Sequence, residues 1–305
     1  TTGNGITLNG IDTFTIENCL IANFAENGIN LTGTVTRATV RTFIHSCLIS
    51  NNNTHGIKAG AYGGNNYIEQ CAIHSNGAFA DSDAGISTTG AEGLIIGCDI
   101  FNNGRYGVRV FSGSDNSIVG CRLTGNNGEA IALDGGSHNN MVLANTFQNN
   151  CAQANNTYDV ISMNDTNNVI MSNIIRATAA NKHRYSIGET TGANNNVFAF
   201  NNLQNAVTGE INIVGAATIV RHNKGFVTEN NGTATITSGT TSVVVTHGLA
   251  RTPTAKHIYV TFTENPTNDP GNIWISTITS TQFTVNVRND PGVSNLDLEW
   301  QASIL

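Results

Sequence analysis

IENCLI at 16–21, IHSCLI at 44–49, IEQCAI at 68–73, IIGCDI at 95–100 and IVGCRL at 118–123 are five copies of one phrase, each with a cysteine in fourth place. Cys19, Cys47, Cys71, Cys98 and Cys121 are separated by 28, 24, 27 and 23 residues, too long for a metal-binding Cys-x-x-Cys pair. A second phrase keeps step with them, a short apolar strand introduced by a small residue: NGITL at 4–8, NGINL at 27–31, HGIKA at 55–59, AGIST at 84–88 and YGVRV at 106–110. A unit of 22 to 29 residues built from short β-rich runs and polar turns describes a solenoid.

After the fifth copy the cysteine gives way to other residues while the frame continues: Asn145 in VLANTF, Asn173 in IMSNII, Asn201 in FAFNNL, and His222 in IVRHNK, which ends the series. The strand phrase continues as EAIAL, YDVIS, YSIGE and GEINI, which predicts about nine coils starting near residues 4, 27, 55, 84, 106, 129, 158, 185 and 209. Three short strands are expected per coil, in the first one Ile6–Leu8, Phe14–Glu17 and Leu20–Ala22. One coil cannot bury its apolar side alone, so coils stack about 4.8 Å apart with backbone hydrogen bonds running along the stack. Alternation then puts Ile29/Leu31, Val108/Val110 and Ile131/Leu133 inside. Equivalent turn asparagines fall above one another and can bond in a ladder. A cysteine at that position fills a small buried site as a compact apolar group, so free thiols are expected in the column; the state of Cys151, which lies off it, is open.

The stacked asparagines Asn145, Asn173 and Asn201, together with the Gly-Ile strand starts, resemble the right-handed parallel β-helix of pectate-lyase-like proteins and phage tailspikes. The resemblance covers about residues 1–228 and speaks to fold more than to activity, because many functions share the repeat.

Composition agrees with an all-β chain. Charged residues make up 11% and hydrophobic ones 39% of 305 residues, while Gly (32), Asn and Thr, poor helix formers, are abundant. A formal net charge of −7 argues against nucleic acid as partner. No apolar run is long enough to span a bilayer, and no signal peptide is visible. The chain opens inside a repeat, so a preceding portion is expected to be missing. Free thiols fit folding in a reducing cytoplasm.

Near Asn230-Asn231-Gly232 the repeat stops, which divides the chain into 1–230 and 231–305. Six short runs follow, at 233–237, 241–246, 257–263, 273–278, 282–288 and 296–302, separated by turn signals, and predict a small antiparallel β-sandwich. THGLARTPT at 246–254 and the terminal LDLEWQASIL resemble C-terminal modules of phage tail-fibre and spike proteins. That resemblance implies a capping module that helps hold a homotrimer together. His247 is expected to fix a strand exit, and Trp274 and Trp300 are expected in the core.

Chemistry is sought where the coils are long. The second, third, sixth and seventh coils carry expected insertions at Asn51–Thr54, Gly77–Asp83, Cys151–Thr157 and Ala177–Arg184, all after the third strand, as walls beside the first-strand sheet. On that sheet Tyr106, Glu129, Tyr158 and Tyr185 are read as one column, with Asp159 in the next. Coils five to eight thus gather Tyr106, Arg109, Glu129, Asp134, Tyr158, Asp159, Asp165 and Tyr185. Glycoside hydrolysis needs two carboxylates about 5 Å or 6.5–9.5 Å apart. Glu129 with Asp159 meets this on neighbouring coils, and Asp134 with Asp165 forms a second candidate pair. Arg109 is placed to orient a substrate acid group or hydroxyls, and the tyrosines to offer flat faces to sugar rings. A calcium-dependent lyase built on Asp134, Asp165 and Arg109 is an alternative, as are turn aspartates that only bond their own backbone. Glu189 falls on an inward position and is read as a local register change. The expectation is a tailspike-like virion protein that binds and cleaves a cell-surface polysaccharide without a cofactor or metal. The alternatives are a non-catalytic receptor-binding fibre of the same architecture and a polysaccharide lyase.

Overall fold

The computed structural model of the chain describes residues 3–77, 83–90, 92–180 and 182–304; most of the expected Gly77–Asp83 insertion, residues 78–82, lies outside them. The chain forms two compact units, Thr1–Ile219 and Val220–Leu305. Strand Glu229–Ile236 runs across the position where the sequence changes character.

The first unit is a parallel β-solenoid whose coils each contribute one strand to each of three sheets. Sheet A has nine strands, from Ile6–Asn9 to Gly209–Asn212, and sheet B nine, from Asp12–Glu17 to Ile219–Arg221. Sheet C has eight, from Leu20–Ala22 to Asn202–Gln204. Eight coils are therefore complete among the described residues, and the ninth has its first two strands. In the first coil the strands are Ile6–Asn9, Asp12–Glu17 and Leu20–Ala22, as the sequence predicts. Ile29, Ile57, Ile86, Val108 and Ile131 stack in one fully buried column.

The small residue before each apolar start has a steric cause. An ideal Cβ on Gly28, Gly56, Gly85 or Gly107 would lie 2.7, 2.9, 2.8 or 3.0 Å from the amide nitrogen of Asn52, Asn76, Asn103 or Asn126. Those asparagines form a ladder at the turn after sheet C. Each donates its side-chain amide to the next Oδ1 at 2.8–3.1 Å, ending at Asn150. A second ladder, Asn116–Asn140–Asn168–Asn196, occupies the turn between sheets A and B. The third continues the cysteine column: the Cys121 amide donates to Asn145 Oδ1 at 2.8 Å, and Asn145, Asn173 and Asn201 bond in series. All six cysteines are free. Burial pushes the Cys47 thiol up to about 11 and Cys151 well above its ordinary value, so these buried thiols are unreactive.

Three expectations need correction. First, the second coil carries no insertion at Asn51–Thr54: its loop, 51–56, is as long as 23–28 in the first coil. Its extra residues lie between sheets A and B at 33–39, where Thr34 and Arg37 bridge in a small hairpin. Secondly, the seventh coil enters sheet A one residue later than YDVIS suggests, because Ile161, not Val160, pairs with Ile131. Asp159 therefore shares a column with Glu129, and Tyr158 precedes it. Thirdly, Glu189 involves no register change; it pairs directly with Met163 and is 1% exposed. The buried carboxylate is tolerated because four donors meet it. Asn196 Nδ2 (2.8 Å) and Thr218 Oγ1 (2.6 Å) donate to Oε1, and the Val214 and Gly215 amides, each at 2.8 Å, to Oε2.

The second unit contains the six expected strands in two three-stranded antiparallel sheets. Glu229–Ile236, Leu296–Ser303 and Ile258–Phe262 make one; Ser242–Thr246, Gln282–Val287 and Ile273–Ser276 the other. Both sheets supply the shared core, Ile236, Leu298 and Trp300 from one, Val245, Phe283 and Val285 from the other. His247 is buried, accepts the Leu249 amide on Nδ1 (3.0 Å), and lies 3.2 Å through Nε2 from the Thr279 carbonyl, so it fixes the strand exit. Trp300 is a core residue, but Trp274 is 48% exposed, because its edge strand turns that side chain outward.

Candidate functional site

Coils five to eight of sheet A carry three arginine–carboxylate pairs on their outer side. Arg105 reaches Glu129 (Nε to Oε2, 3.2 Å), and Arg109 reaches Asp134 (Nη2 to Oδ2, 3.0 Å). Arg184 binds Asp159 in bidentate fashion, both contacts at 2.9 Å. Asp159 also accepts the Tyr185 amide at 3.2 Å, and the arginine bond to Asp159 raises the Arg184 guanidinium above its ordinary value. Glu129 and Asp159 are 8% and 2% exposed, whereas the Arg105 and Arg184 side chains are 26% and 41% exposed. Each carboxylate is therefore deep, and each guanidinium covers it from the solvent side.

Local sequence explains this depth. Glu129 and Asp159 stand two residues before the buried Ile131 and Ile161, at the corner where the chain enters sheet A. The Asp159 carboxylate reaches over Gly188 on the next coil, which pairs with Ser162, and an ideal Cβ there would come within 2.1 Å of Asp159 Oδ2. Cys151 is fully buried nearby; burial first, then the Glu129 and Asp159 charges, raise its thiol.

The tyrosines divide. Tyr106 is 4% exposed, with the guanidinium carbons of Arg105 and Arg109 at 4.9 and 5.1 Å from its ring centre, so it supports the arginines rather than offering a free face. Burial, then the Glu129 charge, pushes its phenol up to about 12. Tyr158 and Tyr185 are half-buried, beside Arg105 at 5.6 Å and Arg184 at 5.5 Å. Asp165 belongs to a turn: its carboxylate accepts the Gly136 and Ser137 amides, each at 2.9 Å, and the Ser137 hydroxyl at 2.8 Å. It does not pair with Asp134, which faces Arg109.

The sixth- and seventh-coil insertions lie side by side. The Asn156 amide donates to the Lys182 carbonyl at 2.8 Å, and the Lys182 amide to Asn155 Oδ1 at 3.0 Å. Among the described residues no three His, Cys, Asp or Glu side chains converge as metal ligands. Concavities of about 550 Å3, by Asn23, Asn52 and Ser75, and about 510 Å3, by Tyr259 and Gln301, are not lined by residues of the arginine patch. Arg105 and Arg184 are the site residues that sequence reasoning missed. The signal was present: an arginine stands directly before a strand that opens with tyrosine, at 105–106 and again at 184–185.

No curated protein sequence matches the chain. Among solved structures, the mannuronan C-5 epimerase AlgE6 A-module of Azotobacter vinelandii is similar, with a TM-score of 0.61 and 14% identity over 70% of this chain and 58% of that one. The tailspike protein gp49 of Pseudomonas phage LKA1 superposes at 0.60 with 14% identity, over 99% of this chain and 64% of that one. The DFA-IIIase of Arthrobacter chlorophenolicus A6 superposes at 0.55 with 13% identity, over 72% and 54%. The chain thus spans about three fifths of the length of such structures, and at these identities the likeness is one of fold. Residues 4–159, half of the chain, match the family described as right handed beta helix region. With its three parallel sheets and stacked asparagine ladders, the chain belongs to that right-handed β-helix family.

Proposed function

We propose that the protein is a tailspike-like virion protein that binds a cell-surface polysaccharide across coils five to eight of sheet A and cleaves it by glycoside hydrolysis, acting as a homotrimer. The observation that carries the reading is the stacking of Glu129 and Asp159 in one column on adjacent coils, each under its own arginine. The coil spacing of about 4.8 Å is close to the roughly 5 Å carboxylate separation of a retaining glycosidase. Arg105 and Arg184 are the outer partners, so an incoming sugar acid or hydroxyl meets them first. Swinging either arginine onto the substrate releases the carboxylate beneath it. Glu129 then takes a proton from solvent and gives it to the leaving oxygen while the Asp159 carboxylate attacks the anomeric carbon, and the Glu129 carboxylate left behind deprotonates the water that cleaves the glycosyl ester and restores Asp159. Tyr158 and Tyr185 supply ring faces, and Arg109 with Asp134 bounds the far end. Tailspike and polysaccharide-modifying structures among the fold neighbours support the substrate class.

A second reading, a receptor-binding fibre without catalysis, is favoured by one observation: both oxygens of Asp159 are already engaged by Arg184. Incubation with capsule and lipopolysaccharide glycans, measuring reducing ends, separates the two. Hydrolysis predicts new reducing ends with no absorbance near 235 nm, lost in Glu129→Gln and Asp159→Asn. Binding without new ends leaves the fibre reading. Gly188→Ala pushes Asp159 off Arg184 and is expected to abolish cleavage with the fold retained.

A further inference from the structure

The three sheets of the solenoid present very different outer faces. In coils four to eight, sheet B comprises Leu94–Ile96, Ser117–Val119, Met141–Leu143, Val169–Met171 and Val197–Ala199, each with its middle residue buried. Of the ten flanking positions nine are apolar, Ser117 being the exception, and none is charged. The same coils of sheet C, Asp99–Phe101 to Asn202–Gln204, have two apolar residues in ten and carry Asp99, Arg122 and Arg176. Sheet A carries the arginine pairs. Toward the first coil the apolar strip of sheet B continues through Tyr67 and Phe43, stacked at 4.9 Å and each 38% exposed.

We infer that the outer face of sheet B is the surface on which copies of this chain pack against one another, side by side around a common axis. Strands about 4.8 Å apart and about 10 Å long make coils four to eight an apolar strip on the order of 240 Å2. That matches the dry centre of an interface burying roughly 800 Å2 per partner, with the polar turns as its rim. The shape selects the occupant. A straight ridge repeating every coil is complemented along its whole length by a second ridge of the same period, which another copy of this solenoid supplies. A compact globular partner would touch only part of the strip. Charge also agrees: a chain of net charge −7 packs on itself most readily through coils four to eight of this face, which carry no charge, while Glu69 and His45 mark where the uncharged stretch ends. The inference rests on the self-association in the proposed function and is independent of cleavage.

Sedimentation at micromolar concentration tests it on the whole chain. The wild type is expected to run as a trimer and Met141→Lys/Val169→Lys as a monomer with unchanged far-ultraviolet circular dichroism. Thr124→Lys/Thr146→Lys on sheet C is expected to stay trimeric. A trimeric sheet B variant overturns the assignment of this face and leaves self-association standing; a monomeric wild type overturns both. Should the lysine variant fail to fold, Met141→Cys in a Cys19→Ser background replaces it. A short bismaleimide must then cross-link copies through position 141 but not through Thr146→Cys, and equal or absent cross-linking refutes the face.

Discussion

Glu189 offers the sharpest test of how the end of the solenoid is held. Leu133 and Met163 occupy the same inward position in the two preceding coils, so a leucine fits at 189 without steric penalty. Glu189→Leu therefore isolates the loss of an acceptor. Asn196 retains the Asp165 carbonyl at 3.0 Å, and Thr218 can turn its hydroxyl toward other groups. The Val214 and Gly215 amides are left without their carboxylate, at about 1–3 kcal/mol each. The loss is about 2–6 kcal/mol, a large part of a domain stability of about 5–15 kcal/mol. Glu189→Gln is milder. Its oxygen can keep both amides while its NH2 meets a rotated Thr218, so weakening of charge-assisted bonds costs about 2–3 kcal/mol, or roughly 4–12 °C in Tm. Met163→Leu, a near-isosteric control, is expected to cost under about 1.5 kcal/mol. Urea unfolding should be followed by far-ultraviolet circular dichroism, because both tryptophans lie in the second unit. If Glu189→Leu unfolds at the wild-type urea concentration, or later than Glu189→Gln, the carboxylate does not hold the Val214–Gly215 turn and the reasoning fails.

Three other outcomes follow from the same geometry. Burial, reinforced by Lys182 for His183 and Lys58 for His55, lowers both histidines to about 4. The unfolded chain takes up protons from pH 6.5 downward and the folded one only near 4, so stability is full above 6.5 and falls through that window, by about 3 kcal/mol per histidine at most. His55→Asn, which removes one of them, should lose less stability between pH 7 and 4.5 than wild type in urea titrations. Gly85→Val drives a side chain into Asn103 Nδ2 and the Gly107 carbonyl, both 2.8 Å from the ideal Cβ. It should cost at least about 1–3 kcal/mol by thermal unfolding. Cys121→Asn extends the third ladder by one rung onto Asn145 and should raise the urea midpoint, by about 0.5–1.5 kcal/mol of stability.

The coils were legible because each apolar start and each turn residue answers to a backbone constraint repeated along the chain. Ile29, Ile57 and Ile86 must face inward, and Cys121 and Asn145 occupy the same turn position whichever side chain fills it. What escaped reading depends on one-off local lengths. A single added residue before Ile161 moved Asp159 into the Glu129 column, and the 33–39 hairpin hid the equal lengths of 23–28 and 51–56. Trp274 was misjudged because alternation assigns a side but not whether that side of an edge strand is covered.

The candidate site shows the same division at the level of chemistry. Carboxylates drew attention because charges are sparse, but their partners lie 24 or 25 residues away, on neighbouring coils. In a solenoid a coil length of separation is contact distance, so Arg105 with Glu129 and Arg184 with Asp159 are neighbours by construction. The pairs run in opposite directions along the stack: Arg105 and Arg109 reach forward to carboxylates on the next coil, whereas Arg184 reaches back to Asp159 on the preceding one. Gly188 completes the arrangement by leaving room for the Asp159 carboxylate to reach over it. A site assembled from four coils and one absent side chain is set by register, and a single substitution at Gly188 displaces the Asp159 carboxylate while leaving the register and every other residue of the site in place.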